Sequence, residues 1–217
     1  LFRSLGGTLH GSAKVRFSVA LLKCVSTGKE ITDPLCLHTV LEAARAVHDD
    51  IDGMSSDSSR SEAEVLIVNF VDSVSFGTDY EAHLDFLVVA RSSFANLGLV
   101  QEVLVYQAIS LILAVYERVG THHTKKTKAF VNACTAYCQI TIPSIPGVVV
   151  RLELFMTTAE AAILHGLVQQ VDGLIRSAIT DAQESGGESY VGGWNKLAAA
   201  RAEIEMLEFA SRCASLL

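Results

Sequence analysis

Leu97-Gly-Leu-Val-Gln-Glu-Val-Leu-Val-Tyr-Gln-Ala-Ile-Ser-Leu-Ile-Leu-Ala-Val-Tyr-Glu-Arg-Val119 decides the fold class. Its apolar residues cover almost every face at helical spacing, so it reads as a helix buried on two sides. Gly120 stops it. A membrane span is not the reading: Gln107 and Ser110 interrupt the best apolar run, Val103–Tyr116, which is shorter than the ~18–20 residues a bilayer needs. A helix covered on two sides requires helical neighbours, and the sequence supplies them on both flanks.

Upstream, Ser12–Thr27 puts Val15, Val19, Leu22 and Cys24 near one face. Asp33-Pro34 is an N-cap followed by proline at the first helical position. The helix it opens runs to about Ile51, with Leu37, Val40, Leu41, Ala44 and Val47 at 3–4 spacing. Asp52–Arg60 is polar and reads as a mobile loop. Ser61-x-x-Glu64 and Thr78-x-x-Glu81 are capping boxes for two further helices.

Downstream, Thr124–Ile142 is a helix broken by Pro143 and Pro146. Val148–Met156 is β-prone in composition, yet Val149, Leu152 and Phe155/Met156 recur at helical spacing, so it reads as helix. Thr157-x-x-Glu160 is a third capping box, opening a helix to about Asp181. Residues 183–193 read as a mobile loop, and Trp194–Leu217 as a last helix. No period-two alternation is sustained. The expected fold is all-α: an α-solenoid of HEAT-like antiparallel helix pairs, about eight helices, with a closed helical bundle as the alternative. Residues 1–217 are expected to form a single solenoid segment of a longer chain, since the sequence opens at Leu1 with no targeting pattern.

Composition agrees. Half of the 217 residues are apolar and 19% are charged, which excludes disorder; 3 Pro leave room for long helices. The net charge of −7 argues against a general nucleic-acid binder. Five cysteines, none in CxxC spacing, fit free thiols in a reducing compartment.

Signals for chemistry are sparse. No phosphate-binding glycine loop and no His-Glu-x-x-His occur. Cys134 and Cys138 stand one helical turn apart without further ligands in view, and read as core thiols. His122-His123, beside Thr124, have no nameable metal partners and read as loop or capping residues. Asp49, Asp50 and Asp52 read as a solvated helix exit. No catalytic residue, cofactor site or metal site is expected. Lys125, Lys126 and Lys128 are the partner-binding candidates. Cations at a helix N-terminus oppose the macrodipole, at ~0.3–1 kcal/mol each when exposed. That cost suggests an acidic partner or lipid headgroups.

Val74-Ser-Phe-Gly-Thr-Asp-Tyr-Glu81, Ala90-Arg-Ser-Ser-Phe94 and Thr124-Lys-Lys-Thr-Lys-Ala-Phe-Val-Asn-Ala-Cys-Thr-Ala-Tyr-Cys-Gln-Ile-Thr-Ile-Pro-Ser144 resemble the vacuolar-protein-sorting thirty-five-like family. That family is the scaffold subunit of the retriever complex and a distant relative of the large retromer subunit. The resemblance covers about Val65 to Asp181. It implies an α-solenoid without enzymatic activity or cofactor. It implies partners too: an arrestin-like subunit, a metallophosphoesterase-like subunit, a coiled-coil/COMM-domain complex and a sorting nexin. The setting it implies is cytoplasmic, peripheral on endosomes, in recycling to the plasma membrane. This segment resembles the middle-to-late solenoid and would contribute to the cradle for the metallophosphoesterase-like subunit. The matched residues Phe130, Val131, Cys134, Tyr137 and Cys138 read as core. A generic helical-repeat adaptor of another complex is the alternative function.

Overall fold

The computed structural model describes residues 11–27, 30–51, 56–120 and 122–186. Among them are eight α-helices: α1 (Ser12–Ser26), α2 (Pro34–Asp50), α3 (Asp57–Asp72), α4 (Tyr80–Ser93), α5 (Gly98–Val119), α6 (Lys125–Thr141), α7 (Val148–Leu164) and α8 (Val168–Gly186). A 3-10 turn, Ile142–Ser144, follows α6. The fold class is all-α and solenoid-like, as expected. The expected final helix, Trp194–Leu217, lies outside the described residues, as do Asp52 and residues 187–193.

The chain divides within α5, at Leu104/Val105, into two compact units. In the first, α1, α2 and α3 pack together around Leu22, Ala44, Val47, Ile67 and Val71, all fully buried. Phe70 of α3 meets Phe86 of α4 edge to face, at 6.2 Å between centres. The linkers are tied as well. Ile31 N–H donates to the Ser73 carbonyl at 2.8 Å and Ser75 N–H donates to the Ile31 carbonyl at 3.0 Å, an isolated parallel bridge. The chain entering α2 is thereby pinned to the chain leaving α3. Arg45 of α2 directs Nε and Nη2 at Ser93 Oγ of α4, at 3.1 and 3.0 Å.

Two polar side chains in this unit do work that spacing did not reveal. Glu64 was expected in a capping box with Ser61. Instead α3 starts earlier, at Asp57, with Ser56 Oγ accepting from Ser59 N–H. Residues 57–60 are therefore helical rather than loop. Glu64 accepts instead from Leu99 N–H in the first turn of α5, at 3.1 Å, where a carboxylate favours the helix dipole. Gln101, 1% exposed inside the apolar helix, donates to the Phe94 carbonyl at 2.8 Å and the Arg91 carbonyl at 3.3 Å. It satisfies carbonyls at the end of α4 that have no intrahelical partner. The cap of α4 is Asp79, not Thr78. In α1, Cys24 is exposed rather than facing the core, and Ser18 and Leu22 are buried.

In the second unit α7 is apolar nearly all round and packs most extensively against α8. Arg151, near the start of α7, pairs with Asp181, near the end of α8, through Nε–Oδ2 and Nη2–Oδ1 contacts of 2.8 Å each. That pairing makes the two helices antiparallel. Arg151 Nη1 also donates to the Ile145 carbonyl at 3.0 Å, fastening the turn before α7.

The expected break at Thr157 is absent. Thr157 lies inside α7, its hydroxyl donating to the Glu153 carbonyl at 2.9 Å. The chain turns at Gly166 instead, with φ +68°. Gly166 N–H reaches the Ile163 carbonyl at 2.8 Å and Leu167 N–H the Ala162 carbonyl at 3.3 Å. This is a Schellman motif, which needs a left-handed residue. Gln183–Gly186, read as the start of a loop, complete α8. Helix α5 itself is, by length and composition alone, sufficient to cross a membrane, contrary to the run-length argument. Half of its most apolar stretch is buried within the protein, as in a core helix.

Candidate functional site

The start of α6 gathers the sequence-derived candidates. Thr124 is its N-cap: Oγ1 accepts from Thr127 N–H at 3.1 Å, while Thr127 Oγ1 accepts from Thr124 N–H at 2.9 Å. The capping box is made with threonine where glutamate is usual. No acid stands in the first turn. Lys125, Lys126 and Lys128 follow directly and are all exposed. The positive end of the helix dipole and three ammonium groups therefore face solvent together, an arrangement suited to an acidic surface.

Just before the cap, His122 is exposed and His123 half-buried. His123 lies against His165, which closes α7, with ring centres 4.9 Å apart. His165 Nε2 lies 3.0 Å from the Ile112 carbonyl of α5, and Tyr116 meets the ring edge-on at 5.6 Å. Burial pushes the His165 pKa down and the neighbouring His123 adds to this, against the opposing hydrogen bond to Ile112. Spacing gave no reason to select His165. The available signal was the His-Gly pair that ends a helix, which the apparent capping box at Thr157 obscured.

Along α6, Val131, Cys134, Tyr137 and Cys138 are buried as expected, and Phe130 is half-buried. Burial pushes both thiols up, Cys138 to about 12 and Cys134 higher still, with Cys138 adding to the shift at Cys134. A thiolate is the nucleophile and the metal ligand. At neutral pH these are protonated core groups. Asp49 and Asp50 sit exposed at the end of α2, with His48 Nδ1 3.5 Å from Asp49 Oδ1. Among the described residues no three His, Cys, Asp or Glu side chains converge as metal ligands would.

Residues 12–202 match a family model described as the VPS35L C-terminal domain, so the match spans both units. A VPS35 endosomal protein sorting factor-like protein of Dictyostelium discoideum is 33% identical over 184 residues, 84% of this chain and 19% of that protein. A Homo sapiens relative of the corresponding name is 34% identical over 148 residues, 68% of this chain and 15% of its own length. A Rattus norvegicus relative reaches 39% over 115 residues, 53% of this chain and 12% of its length. The chain thus spans less than a fifth of the relatives it matches.

Proposed function

The chain belongs to the VPS35L family, and from that membership we propose that it acts in endosomal protein sorting as one solenoid segment of a longer, non-enzymatic scaffold. The observation that carries this is the family match over residues 12–202. The relatives' names speak of endosomal protein sorting. Successive helical hairpins suit the role, because each exposes an outer face while burying the inner one.

In the finer reading, the scaffold belongs to a retriever-type complex, cytoplasmic and peripheral on endosomes, returning cargo to the plasma membrane. This segment contributes to the cradle for a metallophosphoesterase-like subunit. The arrestin-like subunit, the coiled-coil/COMM-domain complex and the sorting nexin engage other parts of the scaffold. Within the segment, Lys125, Lys126 and Lys128 are the contact residues, meeting an acidic patch on a partner. Charge complementarity of this kind speeds encounter and sets register.

The test is affinity purification of the full-length parent from its own cells, read by mass spectrometry. Joint recovery of the arrestin-like and metallophosphoesterase-like subunits supports the reading, and recovery of neither refutes it. The same purification with Lys125→Glu, Lys126→Glu and Lys128→Glu together tests the contact. Loss of one subunit, with the melting temperature unchanged, assigns the lysines to it. Full recovery of every subunit removes them from the interface.

A further inference from the structure

His123 and His165 are joined by more than packing. His165 is 4% exposed, and its Nε2 lies 3.0 Å from the Ile112 carbonyl oxygen. A carbonyl only accepts, so Nε2 carries the proton and donates, and Nδ1 presents a bare lone pair. That Nδ1 is buried with no protein hydrogen-bond partner. Both ring nitrogens of His123 are buried and unpartnered in the same way. Buried polar atoms in folded proteins are nearly always satisfied. Three unpartnered imidazole nitrogens, on two rings whose centres lie 4.9 Å apart, therefore point to a ligand.

The chemistry of that ligand follows from the tautomer. The exposed lysines nearby would favour an anion, but the Nδ1 lone pair left bare by the Nε2–Ile112 hydrogen bond repels one. A bare imidazole lone pair calls for a Lewis acid. Neutral imidazole is a preferred ligand of zinc, copper and nickel. Metal-bound histidines show the arrangement seen at His165, with the second nitrogen donating to a backbone carbonyl. The ring separation also fits. With metal–nitrogen bonds of ~2.0–2.1 Å, and each nitrogen ~1.1 Å from its ring centre, two imidazoles on one tetrahedral ion have centres ~5.2 Å apart. The observed separation is 4.9 Å at an interplanar angle of 50°.

We propose that His123 and His165 together bind a zinc-type divalent ion, His165 through Nδ1 and His123 through a ring nitrogen, with water completing the coordination. The ion joins the segment before α6 to the turn between α7 and α8. With two protein ligands the site is open and weaker than a closed four-ligand structural site. The positive start of α6 opposes the ion, so affinity rises with ionic strength as salt screens the lysines. An anion held by the same lysines would show the opposite dependence.

The experiment uses tag-free protein with Cys24, Cys36 and Cys213 replaced by Ser, titrated calorimetrically with Zn²⁺ and, by visible absorption, with Co²⁺. The expected result is one ion per chain with tetrahedral cobalt bands. Affinity should fall by ~10-fold or more in His123→Gln and in His165→Gln. His123 is only half-buried, so His123→Gln decides the matter even where the His165 variant does not fold. Absence of binding at millimolar Zn²⁺, or binding that both folded variants leave unchanged, overturns the proposal and leaves the nitrogens to water.

Discussion

Arg151→Met removes a charge from the joint between α7 and α8 while keeping most of the side chain's apolar stem. The pair it breaks is 16% and 20% exposed and bidentate, with both contacts at 2.8 Å. Removing one partner from a fully buried pair costs ~3–5 kcal/mol, because the other charge is left uncompensated. The remaining fifth of exposure lets water reach Asp181, which brings the expected cost to ~2–3 kcal/mol. Asp181 also lies near the C-terminal end of α8, where the dipole disfavours a carboxylate once its arginine is gone. For a chain of this size ~2–4 °C is lost per kcal/mol, so the melting temperature should fall by ~5–10 °C. Thermal melting and urea denaturation, both followed by far-ultraviolet circular dichroism, measure the shift and the free-energy cost, alongside Asp181→Leu and the double variant. The double variant should recover much of the loss, since neither charge is then stranded. If Arg151→Met lies within ~0.5 kcal/mol of the parent, or the two changes simply add, the pair is not the clamp described here.

Four further outcomes follow from the structure. Gly166→Ala forces an L-residue to φ +68° and should cost ~1 kcal/mol by thermal melt, with no steric contribution because nothing lies within 4 Å of the added carbon. In native protein Cys24 and Cys36 should react with a disulfide reagent in minutes, while Cys134 and Cys138 wait for unfolding; fast labelling of all four would contradict the buried thiols. Because the folded thiols hold their protons above the unfolded value of about 9, stability should fall as pH rises from about 9 towards 12, by up to ~1.4 kcal/mol per pH unit for each thiol. His165 has the opposite sign: its folded pKa lies below the ordinary 6.5, so the unfolded chain gains a proton first and stability should drop as pH falls through that value. A pH profile in urea that is flat below neutrality would refute this.

The helices and their class were legible because they are local. Apolar residues at 3–4 spacing, Asp33-Pro34 and the Gly120 stop act within a turn or two of the chain, and the helices they mark among the described residues are present. The β-prone run at Val148–Val150 is helical because the apolar period outweighed composition. The errors share a cause. Ser61-x-x-Glu64 and Thr157-x-x-Glu160 have the residue types of a cap, but residue type does not say where a carboxylate goes. Glu64 serves a helix 35 residues away, and Thr157 bonds back to its own helix.

The candidate site divides in the same way. The place of Lys125, Lys126 and Lys128 at a helix start was legible from sequence because it is a local fact, and Thr124 fixes that start. His123 was seen without a partner, because its neighbour is 42 residues downstream. Only the packing of α7 against α6, with the His165 hydrogen bond to Ile112 of α5, carries His165 to it. Short-range hydrogen bonding and hydrophobic period determine which segments are helices, and both are written along the chain. Which buried polar atom meets which is decided when those helices pack and exclude water, and that pairing has no fixed spacing to read.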